Sequence, residues 1–420
     1  MPSFSTALSG LNANAQDLSV ISNNLANLNT TGYKGASASF QDLFYQQVGT
    51  SGDGNPVQVG VGTAVGSIPA NFTQGNIQST GVPTDVAIQG TGFLIGLKNG
   101  QEVFMRAGNL SVNANGILMG NDGSVIQGYP AVNGVINTNQ TPGPLTIANG
   151  LINPPKATAN AELDLNLNSG TAVGGTFSTA LTVYDSLGAA HVLTYTFTKT
   201  SANNWDYSVT IPQADVTGAT GPVVVASGSS GNATPNGLVF NGSGQLTSPA
   251  GDLTGINIAN LSDGAKTLTF NWNLYDASKN GLLTQVASAS ATSSTQQDGF
   301  ASGSLVSYSI GSDGTIQGTF SNGQTQALGQ ILLATFSNDE GLDRNGANEF
   351  LATLASGAAN IGIPGTGGRG TLSGGALEQS NVDISTEFAN LIVAQSGYQA
   401  NAKVVTTLDT ITQATLNLIQ

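Results

Sequence analysis

Apolar residues in the N-terminal stretch recur every three or four positions from Phe4, which is the spacing of one face of an α-helix. The C-terminal stretch has the same spacing, and Asp383 lies where a helix N-cap is expected. We therefore predict that residues 1–34 and 376–420 form a paired, coiled-coil-like helical stem built from both ends of the chain. The predicted interface residues of this stem are Leu8, Leu11, Leu18, Leu25, Phe388, Leu391, Tyr398, Val405, Leu416 and Ile419.

Between these two stretches, apolar and polar residues alternate as they do in half-buried strands. Residues 35–75 have the pattern of a connector, in which alternation of Val57, Val59 and Val61 with other residues predicts a short extended hairpin. Residues 76–150 and 291–360 carry short apolar runs separated by turn dipeptides such as Asn99-Gly100 and Asp313-Gly314. We predict that these two segments form one discontinuous β body domain.

Residues 151–290 have longer alternating runs, in which Leu193, Tyr195 and Phe197 lie between threonines. Such alternation predicts strands with one buried and one solvated face, and hence an inserted antiparallel β-domain. A glycine-rich linker is predicted at residues 361–375. The predicted fold class is mainly β with α-helical termini, comprising two antiparallel β-domains, one of them discontinuous, on the terminal-helix stem.

The predicted N-terminal helix is almost uncharged, since Asp17 is its only acidic or basic side chain before Lys34. A solvated helix face normally carries lysine and glutamate. The helix alone fits two interpretations, which are a core helix of an ordinary domain and a helix buried by other copies of the chain. The position of two such helices at the extreme ends of a long chain favours assembly between copies.

Composition excludes several classes of function. The 420-residue chain has only ten basic residues and a formal charge of −14, so we expect neither nucleic acid nor an anionic membrane surface as a partner. It has no cysteine, which excludes disulfides and thiolate metal sites. No apolar run approaches the roughly 18 residues of a membrane span, and the N-terminus lacks the pattern of a cleaved signal peptide.

Candidate chemistry is sparse. His191 is the only histidine, so a multi-histidine metal site is excluded, and we interpret it as a strand-end or turn residue. An acidic segment near Asp339 and Glu349 fails the EF-hand pattern because Arg344 occupies the glycine position, and we interpret it as a solvated loop. Spacing alone identifies no carboxylate pair for glycoside hydrolysis. We predict no catalytic, cofactor-binding or metal-binding residues.

Short motifs at both ends of the chain resemble the terminal signatures of one family, the axial proteins of the bacterial flagellar rod and hook. Within the body segment, residues 85–95, 106–110 and 128–130 resemble the signature shared by hook and distal-rod proteins. In the insert, residues 182–188 with His191 resemble the outer domain of hook proteins. The terminal motifs are Ser9–Leu11, Ser22–Asn27, Asn29–Lys34, Gly375–Asp383, Glu387–Phe388 and Gln395–Asn401.

The resemblance implies a structural subunit of the flagellar hook, without enzymatic activity, whose copies form a hollow flexible tube that acts as a universal joint between rod and filament. It implies that the terminal helices line the inner tube, the body forms the middle shell and the insert lies outside. The implied partners are other copies of the chain, the distal rod protein, the hook-filament junction protein, the hook cap, the hook-length ruler and the type III export apparatus. The implied location is the hook at the cell surface, reached without a cleaved signal peptide.

Two alternatives remain open at this stage. A distal-rod or hook-filament junction protein would share the terminal signatures. A secreted β-rich adhesin or glycosidase would fit the composition, but it would not explain the motifs at both ends.

Overall fold

The computed structural model describes residues 2–148, 150–230 and 237–417. The chain divides into two compact units, one formed by residues 1–149, 307–319 and 325–420 and the other by residues 150–306 and 320–324. The first unit contains the two terminal helices. They are α1 (Pro2–Ala26) and α2 (Ile384–Asn417).

Helix α2 begins where the sequence predicts. The Oδ1 atom of Asp383 accepts a hydrogen bond of 2.7 Å from the backbone N–H of Thr386, which satisfies one of the free donors of the first turn. That backbone bond also lowers the pKa of the Asp383 carboxyl group. Within the part of the chain that is described, neither helix has a segment apolar enough to cross a bilayer.

Two small β-ladders follow α1, in which β1 pairs with β4 and β2 pairs with β3 as a hairpin. The larger sheet of the first unit runs β27-β28-β11-β7-β8-β31-β30 with antiparallel pairing. Its strands from the later part of the chain are β27 (Thr315–Phe320), β28 (Thr325–Ile331), β30 (Asp343–Arg344) and β31 (Glu349–Leu351). The strands before residue 150 are β1 (Ser39–Asp42), β2 (Tyr45–Thr50), β3 (Pro56–Gly60), β4 (Thr63–Ser67), β5 (Ile77–Ser79), β6 (Val86–Gln89), β7 (Phe93–Lys98), β8 (Gln101–Met105), β9 (Ser111–Val112), β10 (Leu118–Met119), β11 (Val125–Val132), β12 (Val135–Ile136) and β13 (Gly143–Pro144).

The second unit carries the segment that resembles the outer domain of hook proteins, and for that resemblance alone we call it the outer β-domain; it contains two sheets over one core. One sheet has the order β16-β17-β18-β20-β21 and the other has the order β22-β23-β15-β24. The strands from residue 150 to residue 297 are β14 (Ile152–Asn153), β15 (Asn160–Asn168), β16 (Thr176–Tyr184), β17 (Ala190–Ser201), β18 (Asn204–Ile211), β19 (Val223–Gly228), β20 (Leu238–Phe240), β21 (Leu246–Ser248), β22 (Leu253–Ile258), β23 (Leu268–Asn273), β24 (Leu283–Val286) and β25 (Ala291–Gln297).

The predicted alternation holds in the outer β-domain. Leu193, Tyr195 and Phe197 are fully buried, and the residues between them are only half-buried. The core also contains Trp205 and Trp272, both fully buried. Aromatic rings pack edge to face here, because that geometry brings a ring edge onto the electron-rich face of its neighbour, and the centroids of Tyr195 and Trp272 are 4.8 Å apart.

Strand β15 differs from the purely antiparallel prediction. It pairs in parallel with β23 and β24 and antiparallel with β25. Parallel pairing requires a long connection between the partners, and the strands between β15 and β23 supply it. Strand β25 pairs with β15 in the second unit, which extends to residue 306, whereas the predicted body segment 291–360 begins at residue 291.

The chain then returns to the first unit, where Phe93, Phe104 and Phe350 form a buried aromatic cluster. The predicted linker at 361–375 contains β33, which pairs with β6. The strands after residue 297 are β26 (Gly303–Ile310), β27 (Thr315–Phe320), β28 (Thr325–Ile331), β29 (Leu333–Thr335), β30 (Asp343–Arg344), β31 (Glu349–Leu351), β32 (Asn360–Gly362), β33 (Thr371–Gly374) and β34 (Ala376–Glu378).

Candidate assembly interface

Three charged residues from distant parts of the sequence meet where the terminal helices join the body, and we call Lys34, Arg106 and Glu378 the ion hub. The Oε1 atom of Glu378 accepts a hydrogen bond of 2.7 Å from Lys34 Nζ, and its Oε2 atom lies 2.9 Å from both Nε and Nη2 of Arg106. All three side chains are at most 3% exposed. One buried carboxylate therefore holds two cations, one from the segment after α1 and one from the body.

Further hydrogen bonds complete the ion hub. Lys34 Nζ also donates to the carbonyl of Thr73 at 2.7 Å, and the N–H of Gly75 donates to Glu378 Oε1 at 2.8 Å. Burial lowers the pKa of Lys34, the adjacent Arg106 lowers it further, and Glu378 acts in the opposite direction. The carboxylate of Glu378 is thus needed to keep two neighbouring cations in a dry site.

Two asparagine side chains, one in α1 and one just before α2, form hydrogen bonds to backbone groups next to the helices. Asn24 of α1 donates to the carbonyl of Ala36 at 2.7 Å and to Glu387 Oε1 of α2 at 3.1 Å, and it accepts the N–H of Ala36 at 3.0 Å. Asn381 accepts the N–H of Gly35 at 2.9 Å and donates to the carbonyl of Asn71 at 2.7 Å. These amides satisfy backbone groups that lie outside any helix or sheet.

The chain leaves α1 through Gly32, which has a φ angle of +65°. Its N–H donates to the carbonyl of Glu378 at 2.7 Å, and a Cβ atom there would lie 2.7 Å from the backbone of Arg106. Glycine is required at this position because both the left-handed conformation and the close approach exclude a side chain. The turn after α1 is therefore packed directly on the ion hub.

The two helices are antiparallel, and they approach each other through small residues. A Cβ atom on Gly10 would lie 2.9 Å from the side chain of Asn401, and one on Gly397 would lie 2.7 Å from that of Asn14. Ala13 of α1 and Ala394 of α2 are also buried. Small side chains let the helix backbones come close together, so this face is the contact between the two ends of the same chain.

The residues predicted for the stem interface fall into two groups. Leu11, Leu18, Leu25, Leu391, Tyr398 and Val405 are half-buried. Leu8, Phe388 and Leu416 are 42%, 50% and 60% exposed, and Ile419 lies outside the described residues. The intramolecular contact thus leaves part of the predicted seam available to other molecules.

Helix α2 exposes more apolar side chains than the sequence pattern singled out. Ile392, Val393 and Ile411 are 63%, 71% and 56% exposed, and none was among the predicted interface residues. Ile392 lies one turn after Phe388, so the two side chains are neighbours on the same helix surface. Apolar residues on more than one face of a helix indicate burial by several partners, and this signal was present in the sequence.

The β2–β3 hairpin is a second exposed apolar surface, which we call the connector hairpin. Every residue of both strands is exposed, including Tyr45, Val48, Val57 and Val59, and the preceding Phe44 is 78% exposed. An isolated two-stranded hairpin is marginally stable in water. Its apolar side chains therefore need a covering surface beyond the described contacts of this chain.

The acidic segment near Asp339 and Glu349, for which the sequence predicts a solvated loop, contains one buried acidic residue. Glu349 is 2% exposed and pairs with Lys98, which also lies 3.7 Å from Asp122. Burial raises the pKa of Glu349, and the nearby Asp122 raises it further. Glu349 is the first residue of β31 and is buried in the sheet, whereas Asp343 and Arg344 of β30 are exposed. The pairing supplies an internal ion pair of the body.

A bulky residue at Gly10 is expected to separate the helices. In Gly10→Leu, overpacking against Asn401 should cost about 1–3 kcal/mol, which exceeds the gain in helix propensity of up to about 1 kcal/mol. Amide hydrogen exchange of residues 5–28 in the monomer should become faster. Ala15→Leu on the exposed surface of α1 is the control and should not accelerate exchange. Unchanged protection in Gly10→Leu would show that the helices are not in close contact.

A β-rich chain whose ends combine in one helix pair, with apolar side chains exposed on that pair and on a hairpin, has the features of a subunit of a larger assembly. Comparison with known proteins identifies the assembly. Four family models match: "Flagella basal body rod protein" at residues 4–34, "Flagellar hook protein FlgE/F/G D1 domain" at 87–166, "Flagellar basal body protein FlaE D2 domain" at 153–300 and "Flagellar basal body rod FlgEFG protein C-terminal" at 373–418.

Curated relatives match over nearly their whole length. The flagellar hook protein FlgE of Salmonella typhimurium is 38% identical over 431 residues, which cover 99% of this chain and 100% of that protein. FlgE of Treponema pallidum is 34% identical, covering 100% of this chain and 99% of the relative. The crystal structure of Helicobacter pylori flagellar hook protein FlgE2 has a similar fold, with a TM-score of 0.51 over 72% of this chain and 100% of that chain at 14% identity. The chain belongs to the flagellar hook protein family.

Proposed function

We infer that the chain is a structural subunit of the bacterial flagellar hook, which polymerises into a hollow, flexible tube that transmits torque from rod to filament. The observation that carries this inference is the apolar surface left exposed on α2 and on the connector hairpin, in a chain that matches hook proteins from end to end. Copies of the same chain are the simplest covering partner. A tube requires contacts between two different surfaces of neighbouring copies, and the helices and the hairpin supply two such surfaces.

In the proposed arrangement, the terminal helices line the inner tube and the body forms the middle shell. The outer β-domain lies outside. The ion hub supports this arrangement because it fixes the bases of both helices to the body, so a force on the helices is transmitted to the sheet through buried ion pairs. The apolar side chains of α2 would be covered by the helices of neighbouring copies.

Bending of the tube requires neighbouring subunits to change their spacing without unfolding. Only 8% of the residues are charged, and the chain contains 56 glycines. Weakly charged contacts can shift with little electrostatic cost, since few strong ion pairs must be broken and remade. We propose that sliding between copies gives the tube its flexibility, while each β-domain remains rigid.

The family relation supports several narrower proposals. We propose that the chain contacts the distal rod protein at one end of the tube and the hook-filament junction protein at the other, and that it meets the hook cap, the hook-length ruler and the type III export apparatus during assembly. We propose export without a cleaved signal peptide and no catalytic activity. Hook relatives that match over their whole length favour this function over a distal-rod protein, a junction protein, an adhesin or a glycosidase.

Deletion of the outer β-domain tests the proposed layers. Lys156 and Phe300 exchange two backbone hydrogen bonds, of 3.0 and 2.9 Å, so they are directly opposite each other as a hydrogen-bonded pair of an antiparallel bridge. Replacing residues 157–299 with Asn-Gly would join this pair by a two-residue type I′ turn, the preferred short hairpin connection. We expect the shortened chain to form tubes with altered or irregular curvature, measured by electron microscopy of isolated hooks.

The control is the full-length chain with Asn-Gly inserted in the exposed 172–174 turn of the outer β-domain, which lies on neither of the two proposed contact surfaces. It carries the same dipeptide at another exposed turn. Complete loss of tubes in the deletion variant alone would contradict the proposed outer position of the domain. Unchanged curvature would mean that contacts in the inner shells, and not the outer β-domain, determine the curvature.

A further inference from the structure

The outer β-domain contains a cluster of one histidine and three aspartates that the assembly function does not use. Asp185 follows β16, His191 lies near the start of β17, Asp215 ends a short 3₁₀ helix (Gln213–Asp215) after β18, and Asp263 lies in the turn between β22 and β23. The Nε2 atom of His191 lies 3.1 Å from Asp185 Oδ2 and 4.0 Å from Asp263 Oδ2, and its Nδ1 atom lies 3.4 Å from Asp215 Oδ2. The imidazole is therefore surrounded by carboxylates on both sides.

The cluster has an excess of negative charge. Among the described residues, these three carboxylates have no ion-pair partner other than His191, and the side chains of His191 and Asp185 are 5% and 0% exposed. The Nδ1 atom of His191 is buried and has no hydrogen-bond partner in the described part of the chain. Even a doubly protonated imidazole would supply one positive charge for three carboxyl groups. A bound cation would remove part of this excess.

The backbone prepares two carboxylate oxygens for such a cation. The Oδ1 atom of Asp185 accepts the N–H groups of Leu187 and Ala189 at 2.8 and 2.9 Å, which orients Oδ2 toward His191. The Oδ1 atom of Asp263 accepts the N–H of Ala265 at 3.0 Å, and the Asp263 side chain also hydrogen-bonds to Asp185. One oxygen of each aspartate is held by backbone N–H groups, and the other faces the Nε2 atom of His191.

Of the three candidate ligand atoms, Asp185 Oδ2 and His191 Nε2 are 3.1 Å apart, which is close to the spacing in a tetrahedral metal site, and Asp263 Oδ2 lies 4.0 Å from the same nitrogen. Bonds of about 2.0 Å at tetrahedral angles separate ligand atoms by about 3.3 Å. One candidate atom from each of Asp185, His191 and Asp263 lies within 4.8 Å of the others, and Asp263 is exposed enough to move closer. Asp215 completes the pattern, because a metal-bound histidine usually donates its second N–H to a carboxylate.

We propose that Asp185, His191 and Asp263 bind a divalent first-row transition metal such as Zn²⁺, with Asp215 orienting the imidazole. One nitrogen and two carboxylate oxygens form a ligand set typical of such ions, and solvent would occupy the fourth position. The ion would connect the turn after β16, in one sheet, to the turn before β23, in the other sheet. In a chain without cysteine, this bond would stabilise the outer β-domain as a structural zinc site stabilises a small domain.

The test uses the full chain after dialysis against a chelator. We expect isothermal titration with Zn²⁺ to show one site per chain, Co²⁺ to give the visible absorption of a tetrahedral N/O site, and Zn²⁺ to raise the unfolding temperature reported by tryptophan fluorescence. Both tryptophans lie in this domain. Because His191 is the only histidine, ¹⁵N NMR of its ring can be assigned without mutation and should show Nε2 bound to metal and Nδ1 protonated.

The main variant is Asp263→Asn, which retains the Oδ1 acceptor for the N–H of Ala265 but removes the charged ligand. We expect it to weaken Zn²⁺ binding at least about tenfold. The matched control is Asp164→Asn, an exposed aspartate of β15 remote in sequence from the cluster, which should leave binding unchanged. The proposal would be overturned by the absence of a stoichiometric site, by equal affinity of Asp263→Asn and the unmodified chain, or by an imidazole that stays protonated at both nitrogens with Zn²⁺ present.

Discussion

Replacing Glu378 with glutamine is expected to destabilise the first unit by about 3–5 kcal/mol. The substitution keeps the shape of the side chain but removes the only carboxylate of the ion hub. Lys34 and Arg106 would then be two buried cations without an ion-pair partner among the described residues, 1% and 3% exposed. Removing one partner of a buried ion pair is far more costly than removing an exposed one, because the remaining charge stays desolvated.

The chain provides an internal control for this experiment. Both tryptophans, Trp205 and Trp272, lie in the core of the outer β-domain, so tryptophan fluorescence during denaturation reports that domain alone. Far-UV circular dichroism reports the whole chain. We expect Glu378→Gln to add an earlier transition in circular dichroism and to leave the fluorescence midpoint unchanged.

Two further variants define what the Glu378→Gln result means. Glu340→Gln changes an exposed glutamate of the same unit and should shift neither transition. Adding Lys34→Met to Glu378→Gln removes one of the unpaired cations and should recover part of the lost stability. If Glu378→Gln unfolds like the unmodified chain, the ion hub does not stabilise the body, and its proposed role in fixing the helices fails with it.

The sequence predicted the secondary structure of both ends and of the outer β-domain well, because those patterns are local. Helix α2 starts one residue after Asp383, and the buried positions of β17 follow the predicted alternation. A local pattern cannot determine which strands pair. The parallel pairing of β15 depends on partners more than 100 residues away, as shown by its contact between Asn160 and Asn271.

The ion hub could not be predicted for the same reason. Lys34 and Glu378 are 344 positions apart, and Arg106 and Glu378 are 272 positions apart. Each lies in a segment that resembles the family signature, but no spacing rule connects them. The available signal was that charged residues are rare in this sequence. The chain has only ten basic residues, so a lysine or arginine beside a glycine- and asparagine-rich motif is seldom there by chance.

The helix interface was predicted only in part. Heptad spacing identified the leucines and Phe388, but the two ends of the chain meet through Gly10, Gly397 and their asparagine partners. Glycine and alanine are only weakly hydrophobic, so the spacing of apolar residues does not identify them as interface residues. A sequence with apolar residues on several helix faces also does not specify which face contacts the same chain and which face contacts a neighbouring copy.

Ile392→Asp tests which face of α2 contacts neighbouring copies, and it is expected to abolish tube formation. The side chain is 63% exposed in the isolated chain, so an aspartate there should change monomer stability by no more than about 0.5 kcal/mol. In the proposed tube the same position is covered by a neighbour, where an unpaired carboxylate would cost several kcal/mol per contact. The penalty is repeated at every subunit, so polymerisation fails even though each monomer folds.

The matched control is Val173→Asp, because Val173 is 69% exposed and lies in the outer β-domain. It introduces the same charge at a similarly exposed apolar position that the proposal places outside the tube wall. We expect Val173→Asp to form tubes and Ile392→Asp to remain monomeric in sedimentation and electron microscopy, while the two proteins show equal thermal stability. Tubes of ordinary length from Ile392→Asp would mean that the exposed apolar surface of α2 faces solvent in the polymer, and the inter-subunit contact would then have to be sought on the connector hairpin.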